Sequence, residues 1–290
     1  MTGQPPSRPR RFPLSLDQVA AKPSAATAGA TAAGVRTVLM PQAPLQHAER
    51  ERQRHAVPQG VGLDSVQVRR RMIERLRADG IGHVGVLDAM ATVPRHLFVD
   101  TALVNQAYED TSLPIGQGQT ISKPSVVGSM IQLLCQRPGL GPDVPVERSL
   151  GACLEIGTGC GYQAAVLARL SRRVVSIERI RALHDKARSH LEQLRPQYRE
   201  LLDVRLIYGD GMLGHAPGGP YDTVIAAAGG DALPQPWLEQ LAPGGRLVAP
   251  VSGGRGQPQT LTVVDRLADG SLVFSRYGAV HFVPLKSGVF

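Results

Sequence analysis

One nine-residue run, Leu154-Glu155-Ile156-Gly157-Thr158-Gly159-Cys160-Gly161-Tyr162, constrains the fold of this chain more than any other. Its apolar opening reads as a strand, and the helix expected from Gln163 to Leu170 follows at once. Between them, glycines at alternate positions let the backbone turn tightly and let a ligand approach without meeting a Cβ atom. Downstream the pattern keeps alternating. Strands are expected at Leu150–Ile156, Arg173–Glu178, Val204–Tyr208, Tyr221–Ala227 and Arg246–Val251, with helices at Ile180–Leu194 and around Trp237–Leu241. That order implies an α/β, Rossmann-like fold: a mostly parallel central sheet with helices on both faces. Gln259–Asp265, Leu272–Tyr277 and Ala279–Val283 are strands without intervening helices, so the C-terminal part should pair antiparallel.

The glycine spacing alone does not name a ligand. A dinucleotide fingerprint places its third glycine one residue later, where Tyr162 stands. Charge separates the candidates further. Glu155 lies two residues before Gly157, Glu178 ends the next strand, and Asp210 ends a later one in Tyr208-Gly-Asp-Gly211. Carboxylates repel a pyrophosphate and attract a sulfonium and an ammonium. S-adenosyl-L-methionine is therefore the expected cofactor and a dehydrogenase is disfavoured. Glu178 is placed to accept hydrogen bonds from ribose hydroxyls, and Asp210 from an adenine amino group beside the uncrowded Gly211. Glu155 should order the methionine end, directly or through the loop of Gly157, Gly159 and Gly161. Any one of these acids also suits a solvated strand end; together they mark the carboxyl edge of a parallel sheet, where such sheets bind ligands.

Upstream, Val68, Met72, Ile73 and Leu76 fall on one face of a helix over Val68–Arg77 whose other face is basic. Short helices are expected at Val84–Met90 and Arg95–Val104. Leu113-Pro-Ile-Gly-Gln-Gly-Gln-Thr-Ile-Ser-Lys-Pro124 has no regular period and leads into a helix over Ser125–Cys135. A polar loop held between helices is a candidate functional surface. Residues 1–64 are Pro/Ala-rich and basic, and read as a disordered extension. They carry half of the formal charge of +8, so the positive balance is not a property of the folded part. The catalytic domain is expected over 65–290, with N-terminal helices and substrate loop at 65–135 and the cofactor-binding sheet at 150–290.

In Leu113–Ser122, Leu154–Gln163, Ser176-Ile-Glu-Arg179, Gly209-Asp-Gly211, Val280–Leu285 and Val93-Pro-Arg-His-Leu-Phe-Val99, the chain resembles the bacterial protein-L-isoaspartate (D-aspartate) O-methyltransferases, a likeness that spans about residues 66–288. The resemblance implies an S-adenosylmethionine-dependent methyltransferase fold. It implies methyl transfer to the α-carboxylate of L-isoaspartyl residues in damaged proteins and peptides, after which the ester collapses to a succinimide. By this likeness Ser122 is the active-site hydroxyl and Thr120, Ile121 and Ser122 wall the carboxylate. From the residues alone, Ser122 equally suits a cap on the helix that follows. Lys123 and the Ala226–Asp231 loop depart from the family pattern. A second reading keeps the cofactor and changes the acceptor to a small carboxylate or other metabolite.

Cys135, Cys153 and Cys160 form no CxxC pair, so neither a disulfide framework nor a metal site is expected. No apolar run of membrane-spanning length occurs, and Pro5, Pro6, Pro9 and Pro13 interrupt the segment where a secretory signal would lie. A cytoplasmic monomer is expected, without membrane or specific nucleic-acid partners, although a basic tail can bind nucleic acid nonspecifically.

Overall fold

The computed structural model describes residues 66–290 except 142, 199–202 and 255–256. These belong to the second of two units, which begins at residue 59; the extension expected at 1–64 lies outside the described residues. Helix α1 (Val66–Ala78) buries Met72 and Leu76, one turn apart, and leaves most of its arginines outside. Helix α2 (Val84–Thr92) follows, capped by His83, whose Nδ1 accepts from the Val86 amide. The helix expected over Arg95–Val104 is instead two 3₁₀ turns, Arg95–Phe98 and Thr101–Gln106, separated by extended residues.

The polar segment is also more regular than its sequence suggests. β1 (Leu113–Gly116) and β2 (Gln119–Ile121) pair as an antiparallel hairpin. Gly116, Gln117 and Gly118 all have positive φ, which closes the hairpin in two residues. Helix α3 (Pro124–Leu134) starts directly after it, with proline at its first position, where the missing N–H costs nothing.

The remainder is β3 (Gly151–Ile156), α4 (Tyr162–Ala168), β4 (Ser171–Glu178), α5 (Arg181–Tyr198), β5 (Val204–Tyr208), β6 (Tyr221–Ala226), α6 (Gln235–Glu239), β7 (Leu241–Ser252), β8 (Gln259–Arg266) and β9 (Leu272–Val280). The last is one strand where two were expected. Seven strands form one sheet in the order β5-β4-β3-β6-β7-β8-β9. The first five run parallel, and β8 and β9 add antiparallel. Strand alternation sends Cys153 to a core shared with α1 to α5, while Leu154 and Ile156 meet Trp237 of α6 on the other face. Both faces carry helix, but unequally: the second has only the short α6 and 3₁₀ turns.

The chain crosses from one half of the sheet to the other between β3 and β6. In open α/β sheets the crevice outside the carboxyl ends at such a reversal receives the ligand. Among the described residues, no helix is long and apolar enough to cross a membrane.

Candidate active site

A cavity of about 540 Å³ opens at that crevice, between the glycine loop, the β1–β2 hairpin and the segment after β9. The loop is fixed to the neighbouring strand, since the amides of Gly157 and Thr158 both donate to the Ile177 carbonyl. Gly157, Gly159 and Gly161 have φ of 89°, 57° and 91°, a region that L side chains rarely enter. All three sequence glycines therefore serve backbone geometry, and Gly157 and Gly159 line the cavity.

Glu178 is on the cavity wall and 5% exposed. Its Oε2 accepts from the Gly159 amide at 2.8 Å and its Oε1 from the Ile180 amide at 2.9 Å. One side chain thus holds the glycine loop against the entry to α5. Each oxygen retains acceptor capacity toward the cavity. Burial raises its pKa above the ordinary value, while the amides of Ile180 and Gly159 act in the opposite sense.

Glu155 stands elsewhere. It is fully buried behind the loop, not on the cavity wall. Register sets it opposite Ser176, whose hydroxyl donates to its Oε2, and the Ser176 hydroxyl lies 2.6 Å from that of Thr158. Of the two routes open from sequence, direct or through the loop, the geometry is that of the second. Burial pushes its pKa up to about 8, with Ser176 and Gln163 opposing.

Asp210 is also committed to the backbone. Its Oδ1 accepts from the Met212 amide at 2.9 Å and its Oδ2 from the Gly288 amide at 2.6 Å. It does not line the cavity, whereas its neighbour Gly211 does. A Cβ on Gly211 would sit 2.6 Å from Ile156 Cγ2, so only glycine leaves this edge open. Trp237 closes the floor below by donating from Nε1 to the Gly211 carbonyl at 2.8 Å.

Across the cavity lie Thr120, Ile121 and Ser122. Ser122 is half-buried and its hydroxyl has no hydrogen-bond partner among the described residues. It is not the helix cap: Lys123 holds that position without a side-chain bond, and Asp110 accepts from the Ser125 amide and hydroxyl instead. Lys123 points out to solvent.

Three further contributors were given no site role from sequence, although two of them, Gln163 and the Val283–Leu285 stretch, lie in motifs that carry the family resemblance. Gln163 lines the cavity, buried, and favours the ionised form of Glu155 behind the loop. The segment Val283–Lys286 forms a third wall, held by Gly229, whose amide and carbonyl bond Val283 and Leu285. Lys186 donates to the Ile115 carbonyl and to Asp100, anchoring the hairpin to α5.

The cavity therefore has an acidic, glycine-lined side and a hydroxyl-bearing side. A family model, protein-L-isoaspartate(D-aspartate) O-methyltransferase, matches residues 67–289. The chain belongs to this family. A protein-L-isoaspartate O-methyltransferase of Methylibium petroleiphilum is 57% identical over 96% of this chain and 96% of its own length. One of Leptothrix cholodnii is also 57% identical, over 98% of this chain and 96% of its own. A solved protein-L-isoaspartate O-methyltransferase is 26% identical, with a TM-score of 0.64 over 76% of this chain and 67% of that one. A Plasmodium falciparum chain of the same description, solved with S-adenosyl-L-homocysteine, shares the fold at 22% identity and a TM-score of 0.62, over 74% of this chain and 97% of its own.

The residues present fit S-adenosyl-L-methionine. The glycine loop and Gly211 leave a cradle that side chains would fill, and Glu178 offers the acceptors that a diol needs.

Proposed function

We infer that the protein transfers the methyl group of S-adenosyl-L-methionine to the α-carboxylate of L-isoaspartyl residues in damaged proteins and peptides. The observation that carries this reading, within a chain of this family, is the free Ser122 hydroxyl facing the same cavity as Glu178 and the glycine loop. When bound, the cofactor supplies a methyl group activated by a sulfonium.

The protein's part is binding, orientation and exclusion of water. A carboxylate with an ordinary pKa near 4 is already ionised at neutral pH, so no residue need remove a proton. Ser122 donates one hydrogen bond to the acceptor carboxylate and leaves its other oxygen free to react. Thr120 and Ile121 wall that carboxylate. Holding two reactants in line within a closed site contributes about 7–11 kcal/mol to such a reaction. Glu178 accepts from the ribose hydroxyls, Gly157 and Gly159 give the cofactor close approach, Gly161 turns the chain into α4 against Ala187, and Gly211 leaves room for the adenine edge. Glu155 and Asp210 support the cofactor indirectly, one by fixing Ser176 and Thr158, the other by fixing the turn at Gly211 and the segment at Gly288.

We assign the activity to residues 65–290. We take the protein to act as a cytoplasmic monomer; the buried free thiols of Cys135, Cys153 and Cys160 suit a reducing compartment.

Labelled cofactor with matched peptides carrying L-isoaspartate or L-aspartate at one site tests the reading. Base-labile label is expected on the isoaspartyl peptide alone. Label on neither peptide, with the cofactor bound, would move the acceptor to a small carboxylate. Ser122→Ala should retain cofactor affinity and lose turnover by about 10-fold or more, the scale of one hydrogen bond to a charged group. Equal loss of affinity would refute its role.

A further inference from the structure

Arg95 is fully buried; it lies in the Val93–Val99 motif, but no role follows from that motif and the proposed reaction does not use it. It sits in the first 3₁₀ turn, immediately after Pro94. Its Nε donates to the Ala107 carbonyl and its Nη2 to the Ser122 carbonyl, both at 2.7 Å. Ala107 ends the second 3₁₀ turn and Ser122 follows β2, so one guanidinium grips both ends of the segment that carries the β1–β2 hairpin. Its Cζ also lies 4.7 Å from the centre of the Tyr162 ring. Tyr162 is the first residue of α4, directly after Gly161, and lines the cavity. No carboxylate among the described residues pairs with Arg95.

Arg95 therefore joins the hydroxyl-bearing side of the cavity to the glycine-loop side through one rigid, planar group. We propose that Arg95 is a positioning residue for methyl transfer, setting the distance of Ser122 from the cofactor loop by clamping the Ser122 carbonyl while stacking on Tyr162. The proposal rests on the assignment of Ser122 above.

The alternative is that Arg95 only stabilises the fold. A buried charge is a poor device for that, since a well-packed apolar group of similar size is often neutral or better. Positioning is a different matter. In-line transfer requires reacting atoms about 3–3.5 Å apart, and a displacement of about 1 Å costs roughly 100-fold. A lysine cannot replace the clamp, because a single ammonium lacks the planar fork and the aromatic stacking of a guanidinium.

The test is Arg95→Met and Arg95→Lys in the full chain, each in the wild-type and Ser122→Ala backgrounds. Steady-state methylation of an isoaspartyl peptide, S-adenosylhomocysteine affinity and thermal unfolding are measured together. Both Arg95 variants should lower kcat by no more than Ser122→Ala does, about 10-fold, while peptide KM and cofactor affinity change less than about 3-fold. In the Ser122→Ala background the same substitutions should cost almost nothing further, because residues that act as a unit are not additive. An unchanged kcat in a folded variant, or the same loss in both backgrounds, would overturn the proposal. Failure of the Ser122 assignment is seen separately, as full turnover in Ser122→Ala alone. Should neither Arg95 variant fold, Tyr162→Leu removes the stacking partner. A lower kcat with cofactor affinity held, and no additional loss with Ser122→Ala, is then required; loss of cofactor affinity instead refutes the idea.

Discussion

Replacement of Glu178 by Gln separates its two duties. In the wild type, two carboxylate oxygens take two backbone amides, those of Gly159 and Ile180. An amide side chain offers one oxygen and turns an N–H₂ group toward the second backbone donor. One N–H is left unsatisfied at a site only 5% exposed, for about 1–3 kcal/mol. For a folded part of this size that lowers Tm by about 2–4 °C per kcal/mol. Cofactor binding loses more. Turning two charge-assisted hydrogen bonds to the ribose into one neutral bond removes about 2 kcal/mol, close to 30-fold in Kd. Glu178→Ala removes both, about 3 kcal/mol or more, at least about 100-fold. Titration calorimetry with S-adenosylhomocysteine, paired with thermal unfolding without ligand, reads the two effects independently. The sign with pH follows from burial, which raises the Glu178 pKa above its ordinary 4.5. The ionised form is the better acceptor, so affinity should fall on acidification sooner than an ordinary glutamate would cause. Wild-type affinity in Glu178→Ala, with the Tm loss present, would show that Glu178 holds the loop and does not touch the cofactor.

Two further substitutions probe the support beneath the cavity. Glu155 has a pKa raised to about 8 from 4.5, so between those values the folded chain holds a proton that the unfolded chain has released. Stability should therefore decline from about pH 4.5 to 8 in the wild type relative to Glu155→Gln, and parallel Tm–pH curves for the two would show that Glu155 is ionised throughout. Gly211→Ala places a methyl group 2.6 Å from Ile156 Cγ2. Overpacking of this kind costs about 1–3 kcal/mol, and the Tm and cofactor affinity should both drop; an unchanged Tm would mean that Ile156 gives way freely.

Much of this architecture was legible because each signal was local. The strand and glycine loop from Leu154 to Tyr162 and the alternation that follows place the parallel sheet, and β5 lies over the residues expected, Val204–Tyr208. The hairpin was not legible for a physical reason. Strands of four and three residues are too short to display a period of two, and the consecutive positive φ values at Gly116, Gln117 and Gly118 resemble irregular loop in sequence. The acids show a subtler limit. Sequence places Glu155, Glu178 and Asp210 at strand ends, but strand parity turns Glu155 inward onto Ser176, and Asp210 spends both oxygens on amides of Met212 and Gly288. Of the three, only Glu178 reaches the cavity wall. Which acid faces the ligand depends on partners more than twenty residues away in the chain for Glu155 and Asp210, and no window of sequence contains them.

The same limit governs the part of the site that sets rate. One wall of the cavity is built on the sheet and the other on a short hairpin, and neither motif specifies how far apart they stand. That spacing is fixed by contacts between elements: Arg95 reaching from the first 3₁₀ turn to Ser122 and Tyr162, and Lys186 reaching from α5 to Ile115 and Asp100. Displacements of about 1 Å decide roughly 100-fold in rate, whereas each wall can bind its own ligand over a wider range of separations. Substitutions in the bridging residues should therefore act on kcat, and substitutions in the motifs on affinity. The sequence marks the Val93–Val99 stretch as a motif, but which of its residues aligns the reaction depends on Ala107, Ser122 and Tyr162, partners that only the fold brings to Arg95.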